Sequence, residues 1–305
     1  MKAVRIHAYG GNEVLRLDDL PTPAPIFADD VLVRVRSSSV NPVDWFTRAG
    51  HMSSMIALPF TLGWDVAGVV EAVGSAVTHV APGDSVYAMI MMRGGGYAEY
   101  ALVKASEVAR KPASVPDNEA GAIPAVALTA WQALDGAGIV SGQTVLITGG
   151  AGGVGTFAVQ LAVARGAIVI ATASARNHDL LRSLGASEVI DYNTTRLNDA
   201  VSGVDAVVDT VGMTTAAEAL PTIRRGGAIA GIAGVPDERT AAQHGVRTAD
   251  IGVEPSRDQL AQIAALIDSG QVRLILDRAV TLDHVGDGFA HSESGHARGK
   301  IVIQI

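Results

Sequence analysis

Cysteine is absent from the 305-residue sequence. That excludes disulfides, thiolate nucleophiles and cysteine-ligated metal, and it fits a reducing cytoplasm. Basic residues are outnumbered, 23 Lys and Arg against 31 Asp and Glu, and the formal net charge is −8. This balance argues against nucleic acid or an anionic membrane as the main partner. Charged residues of either sign are scarce at 18%, whereas apolar residues reach 48%. Such a chain is globular and long enough for two domains or one large one. The opening MKAVRIHAYGG has no apolar h-region and no cleavage site, so no signal peptide is expected. The stretch 140–164 lacks charge over a span long enough to cross a bilayer. Ser141, Gln143, Thr144, Gln160 and several glycines break its hydrophobicity, which favours a buried strand, turn and helix.

Proline and glycine are scattered through the first 110 residues, where no long helical pattern appears. VLVRVRS (31–37) alternates apolar and polar residues, as a half-buried strand does. DVAGVVEAVG (65–74) and DSVYAMI (84–90) read as further strands, with Pro82 and Gly83 supplying a turn between them. From about Asp117 the texture changes. NEAGAIPAVALTAWQALDGAG suits helices interrupted at Pro124. Strands over 144–148, 167–173, 188–192, 204–212 and 226–234 then alternate with helical segments. That alternation predicts a parallel sheet covered on both faces. A strand over 246–254, a helix capped by Ser256 and Gly270, and a last strand GKIVIQI complete the chain.

VLITGGAGGVGT (145–156) is the sharpest local signal. Gly150, Gly152 and Gly155 have G-x-G-x-x-G spacing, and the pattern follows a strand and opens a helix. In that role Gly150 permits a tight turn, Gly152 lets backbone approach a pyrophosphate, and Gly155 lets helix and strand pack closely. Gly153 and Val154 then begin the helix whose N-terminus faces the phosphates. No Gly-Lys-Ser/Thr follows, so a Walker A site is excluded. An NAD site would place an acid about 20 residues on. Here the second strand ends ATASARN, where Ser174 can donate to a 2′-phosphate and Arg176 can neutralise it. Tyr192, ending the third strand, can add a hydroxyl. NADP is the cofactor expected, with a merely solvated Arg176 as the competing reading. Val211, Gly212 and Ala233 lie at the carboxyl ends of later strands, the edge along which open α/β sheets bind ligands. Glycine needed only for turns is the alternative there.

SVNPVDWFTRAG (39–50), LGWDVAGVVEAVGSAVTHVAPGDSV (62–86), GGGYAEYA (94–101), ALTAWQAL (127–134), GGAGGVG (149–155) and GHARGKIVIQI (295–305) follow the order found in medium-chain dehydrogenases/reductases. Along nearly its full length the chain resembles their zinc-independent quinone oxidoreductase branch. The resemblance implies an α/β protein of two domains. Residues 1–115 and 273–305 would form a GroES-like, β-barrel-type catalytic domain, and 116–272 a Rossmann domain with a doubly wound parallel sheet. Nicotinamide and substrate would share the cleft between them, and a homodimer would form through an edge strand near 246–254. Zinc-dependent relatives carry cysteine where this chain has Asn41 and histidine where it has Trp64. No metal is expected, and nothing in the spacing of His51, Asp65 and His79 preforms another site.

Without a Lewis acid, oxidising an alcohol is difficult, because nothing stabilises the alkoxide. Reducing an electrophilic acceptor needs less help. This chemistry and the resemblance converge on hydride transfer from NADPH to a quinone or α,β-unsaturated carbonyl, with the oxyanion met by donors or solvent. Asn41 and Asp44 are the catalytic candidates, and the Asn41 amide would orient cofactor or substrate carbonyl. Asn-Pro is equally turn chemistry, and Asp44 equally suits a helix cap. Thr129 matches a family position close to the nicotinamide. Relatives often have tyrosines just after the Asn-Pro loop; Trp45 and Phe46 stand there, which removes a hydroxyl proton donor. With Trp64 and Met89 they would line an apolar substrate pocket or belong to ordinary core. Asp65 is expected to hold a hydrogen-bond network or an arginine such as Arg48. Two other functions compete: an enoyl-thioester reductase, and an NADP-binding regulatory protein that catalyses little.

Overall fold

In the computed structural model, which describes residues 1–25 and 27–305, the alternating run 31–37 lies within the strand Asp30–Ser39. Val31, Val33 and Val35 share one core with Val66, Val70, Val86 and Val103, as the two-residue period of a strand requires. Asp65–Val73 pairs antiparallel along one side of this strand. Tyr100–Lys104 and Lys300–Gln304 divide the other side between them. Ser85–Met89 and Val108–Arg110 extend the sheet beyond Asp65–Val73. Leu276–Thr281 closes the opposite edge, parallel to Lys300–Gln304. A three-stranded sheet of Leu15–Asp19, Lys2–Ile6 and Phe60–Thr61 contributes Val4 and Ile6 to a second core, where Tyr97, Phe289, Ile301 and Ile303 also lie. Residues 1–125, 255–269 and 276–305 make up this compact unit.

The other unit, residues 126–254 and 270–275, is built on six parallel strands. Their order is Glu188–Ile190, Ile168–Thr172, Thr144–Thr148, Val204–Asp209, Ile223–Gly231, Arg247–Asp250. Counted along the chain this is 3-2-1-4-5-6, the doubly wound order, and the winding reverses between Thr144–Thr148 and Val204–Asp209. Both strands are apolar without alternation because both faces are covered; Val145, Leu146, Ile147, Val207 and Val208 are fully buried. The helix Gly153–Ala164 is buried from Gly155 to Ala162, which explains the absence of charge over 140–164. Among the described residues no helix is long and apolar enough to cross a membrane.

Several boundaries differ from the sequence reading. The strand expected over 226–234 starts earlier, at Ile223, and carries an irregularity: Val204 pairs with Ile223, but Ala206 pairs with Ala228. The stretch 246–254 is extended and paired only over Arg247–Asp250. Helix Arg257–Asp268 is capped by the Ser256 hydroxyl, which accepts the Gln259 N–H at 3.3 Å. Its C-cap is Ser269, with Gly270 one residue further on.

Candidate active site

At the carboxyl end of Thr144–Thr148 the chain turns over Gly149, which has φ 64°. A side chain would be strained there, so the tight turn needs Gly149 rather than Gly150. Gly150 is confined by side chains instead: a Cβ would lie 3.1 Å from both Ala171 Cβ and Leu181 Cδ1, which would have to give by a few tenths of an ångström. Gly155 has the packing role expected of it, since a Cβ would come 2.2 Å from the Gly149 carbonyl oxygen. Gly152 caps the helix, and a Cβ placed on it would meet nothing closer than 3.4 Å. The first intrahelical bond runs from the Thr156 N–H to the Gly152 carbonyl, which leaves the N–H groups of Gly153, Val154 and Gly155 without helical acceptors. Bare backbone, free N–H groups and a positive helix end fit a pyrophosphate.

The strand across the winding reversal ends at Asp209. Its buried carboxylate accepts the Thr148 hydroxyl and, at 2.8 Å, the Gly212 N–H, tying the two strand ends together. Exposed Val211 follows, and Gly212 lies close to exposed Ala233, which a Cβ on the glycine would meet at 3.8 Å. Thr129 is buried within the helix Pro124–Ala137.

Strands Ile168–Thr172 and Glu188–Ile190 place Thr172 opposite Ile190. Two residues on, that register sets Ser174 and Tyr192 at neighbouring positions of the same sheet edge. Tyr192 is 60% exposed. Arg176 is exposed in the short turn Ala175–Asn177, and its guanidinium has no partner among the described residues. No acid occurs over 171–178. A guanidinium and two hydroxyls along one sheet edge are the kinds of donor a 2′-phosphate requires.

In the first unit, Asn41 precedes the helix Pro42–Ala49, where proline at the first position is pre-set for helix. Asp44 accepts the backbone N–H of Asn41 at 2.9 Å and that of Gly63 at 3.1 Å. It thus caps the helix and ties down a loop, and it has no exposed surface. Burial pushes the Asp44 carboxyl up to about 7, against the Asn41 N–H and the Tyr97 hydroxyl, which favour its charged form.

The Asn41 side chain is held from both ends. Its Oδ1 accepts from Lys300 Nζ at 2.7 Å, and its Nδ2 donates to Asp65 Oδ2 at 2.8 Å. Asp65 also accepts the Ser39 hydroxyl at 2.6 Å and the Ala125 N–H at 2.7 Å, while Lys300 donates to the Val40 carbonyl at 2.6 Å. Burial raises the Asp65 pKa and lowers that of Lys300, each opposed by the other's charge. Of the two partners expected for Asp65, the hydrogen-bond network is present and the arginine is not. Arg48 instead donates to the Gly10 carbonyl, Asn12 and Glu293. Lys300 escaped the sequence reading, although a single charge entering the apolar run GKIVIQI was a usable signal.

Trp45 is half-buried against the second core and donates its indole N–H to Ser292 Oγ at 3.1 Å. Phe46, 41% exposed, lies over Trp45 with ring centroids 4.2 Å apart and meets His51 edge-on at 5.3 Å. Trp64 is buried and its indole N–H has no partner among the described residues. Met89 has no exposed surface, because it ends a strand whose last four residues are buried, so it packs core rather than offering a pocket wall. Among the described residues no three His, Cys, Asp or Glu side chains converge as a metal site. An amide bonded at both ends and an indole, at Asn41 and Trp64, do not fit zinc.

Residues 28–113 match the family model of the alcohol dehydrogenase GroES-like domain, and residues 184–303 that of the zinc-binding dehydrogenases. The chain is 35% identical to the 2-methylene-furan-3-one reductase of Solanum lycopersicum, over 99% of this chain and 79% of the relative. It is 34% identical, with the same coverage, to the chloroplastic NADPH-dependent alkenal/one oxidoreductase of Arabidopsis thaliana. The solved quinone oxidoreductase from Coxiella burnetii superposes with a TM-score of 0.93 at 32% identity, covering 100% of this chain and 99% of that one. The zinc in the second family's description has no counterpart in the donors found here.

Proposed function

The chain belongs to the medium-chain dehydrogenases/reductases, in their zinc-independent quinone oxidoreductase branch, and from that premise we propose an NADPH-dependent reductase of quinones and α,β-unsaturated carbonyls. The sheet edge carries this reading: a glycine turn open at Gly152 and an Arg176 without a partner among the described residues lie at the ends of adjacent strands, with no acid over 171–178. Backbone from Gly150 and Gly152 to Gly155 would hold the pyrophosphate, and Ser174, Arg176 and Tyr192 the 2′-phosphate. Thr129, Val211, Gly212 and Ala233 are assigned to the nicotinamide half. When bound, NADPH supplies the reducing equivalent that a conjugated carbonyl or quinone accepts.

Asn41 keeps one N–H and one lone pair beyond those already engaged. That N–H supplies a donor for an oxygen that gains negative charge. Trp45 and Phe46 are assigned to the apolar wall beside the substrate. A homodimer through Arg247–Asp250 completes the proposal, because among the described residues that strand is paired on one side only.

The test follows NADPH oxidation with ortho- and para-quinones, short enals and enoyl-CoA esters. Turnover of enals or quinones is expected. NADPH binding without turnover of any acceptor would overturn the assignment, and turnover confined to enoyl-CoA esters would move it to an enoyl-thioester reductase.

A further inference from the structure

We infer that Lys300 is a positioning residue for this reduction: with Asp65 it fixes which way round the Asn41 carboxamide stands, and hence where its spare donor is offered. The inference rests on the reductase reading above. The oxygen and nitrogen of an asparagine amide are close in size, so only hydrogen-bond partners decide between its two orientations. Here the partners are of opposite kind. Lys300 Nζ can only donate, and it stands 2.7 Å from Oδ1. Asp65 receives three donors, from Ser39, Asn41 and Ala125, as an ionised carboxylate does. Reversing the amide would set N–H against ammonium and oxygen against carboxylate at hydrogen-bond distance, in an interior where unmet polar groups are costly.

Both clamping groups are secured without Asn41. The Val40 carbonyl holds Lys300 at 2.6 Å, and Ser39 and Ala125 hold Asp65. The clamp is therefore set before any ligand arrives. The ammonium on Oδ1 also draws charge from the amide and strengthens its remaining N–H as a donor. Stability alone is a weak reason for burying Lys300, which is 3% exposed, since an apolar residue of similar volume can serve as well.

The variant Lys300→Met/Asp65→Asn removes both members of this charged pair together. The amide that replaces the Asp65 carboxylate would turn an N–H toward the Asn41 amide N–H, so Asn41 is expected to turn over. The first readout needs no cofactor. Selective asparagine labelling should give one slowly exchanging side-chain N–H pair for Asn41 in the wild type, and a shifted or doubled set in the variant. Lys300→Gln, whose end group can accept as well as donate, is the second variant; Asp65 still faces the Asn41 N–H there, so the pair should shift without doubling. The second readout is kcat, expected to fall on the order of tenfold to a hundredfold, the scale of a misplaced reacting group. An unchanged Asn41 pair in a folded variant, or an unchanged kcat, overturns the proposal. A wild type that reduces no acceptor defeats the reductase reading instead, and the amide readout still judges the clamp.

Discussion

At Asp44, two backbone N–H groups hold a carboxyl that has no contact with solvent. Its pKa of about 7 lies above the ordinary carboxylate value, near 4. Between those values the folded chain keeps a proton that the unfolded chain has released. The stabilisation from this group is complete below about pH 4 and is lost as the pH rises to about 7. Asp44→Asn cannot titrate, so its melting temperature should fall less than that of wild type between about pH 5 and about pH 7.5. Parallel pH profiles of the two proteins would contradict this. Arg176 is the opposite case, an exposed charge with nothing to hold. Charge-assisted hydrogen bonds contribute about 1.5–3 kcal/mol, so Arg176→Ala should weaken NADPH binding by roughly 10- to 100-fold and leave NADH binding alone. Fluorescence titration with both dinucleotides checks it, and equal weakening of the two would remove the 2′-phosphate contact.

Two glycines of one turn separate packing from binding at the scale of the helix. A methyl on Gly155 meets backbone at 2.2 Å and cannot be relieved by a side-chain rotation. Gly155→Ala is expected to cost about 1–3 kcal/mol of stability, as overpacking does, and to weaken NADPH binding with it. Gly152→Ala meets nothing within 3.4 Å, so it should melt like wild type yet bind NADPH poorly. Thermal melts and NADPH titrations of both variants check the pair; similar melts for the two would refute the distinction. The turn also marks how far sequence carries. The G-x-G-x-x-G spacing is legible because strand, turn and helix are local, whereas the left-handed residue proves to be Gly149, outside that spacing. The early start of Ile223–Gly231 was hidden for a related reason. Arg224 and Arg225 look like loop, and only pairing with Val204 draws Ile223 into the sheet.

For the whole molecule, the alternation of apolar strands and helices led to the parallel sheet, and the separated family motifs led to the rest of the architecture. Asn41 was legible from its loop motif. Its clamp was not, because Lys300 reaches it across 259 residues and no local period records such a contact. The proposed dimer is tested at this scale too. Ile251 N–H bonds to the Gly231 carbonyl, so by alternation the Thr248 N–H points away from the sheet. Thr248→Pro should therefore leave the sheet intact and remove a donor only from the free edge. Sedimentation is expected to give a dimer for wild type and a monomer for Thr248→Pro; a monomeric wild type would end the proposal.

The strand Lys300–Gln304 lies against Asp30–Ser39, near the other end of the chain. During synthesis, the ribosome releases the first strand of that pair long before it makes the second. Until the lysine emerges, Asp65 has no counter-charge and the edge of Asp30–Ser39 over residues 37–39 has no neighbour. The nascent first unit must wait, open, while the parallel sheet is translated in between. A chain stalled just short of Gly299 should be readily cut by protease within residues 1–125, and one released after Gln304 should resist.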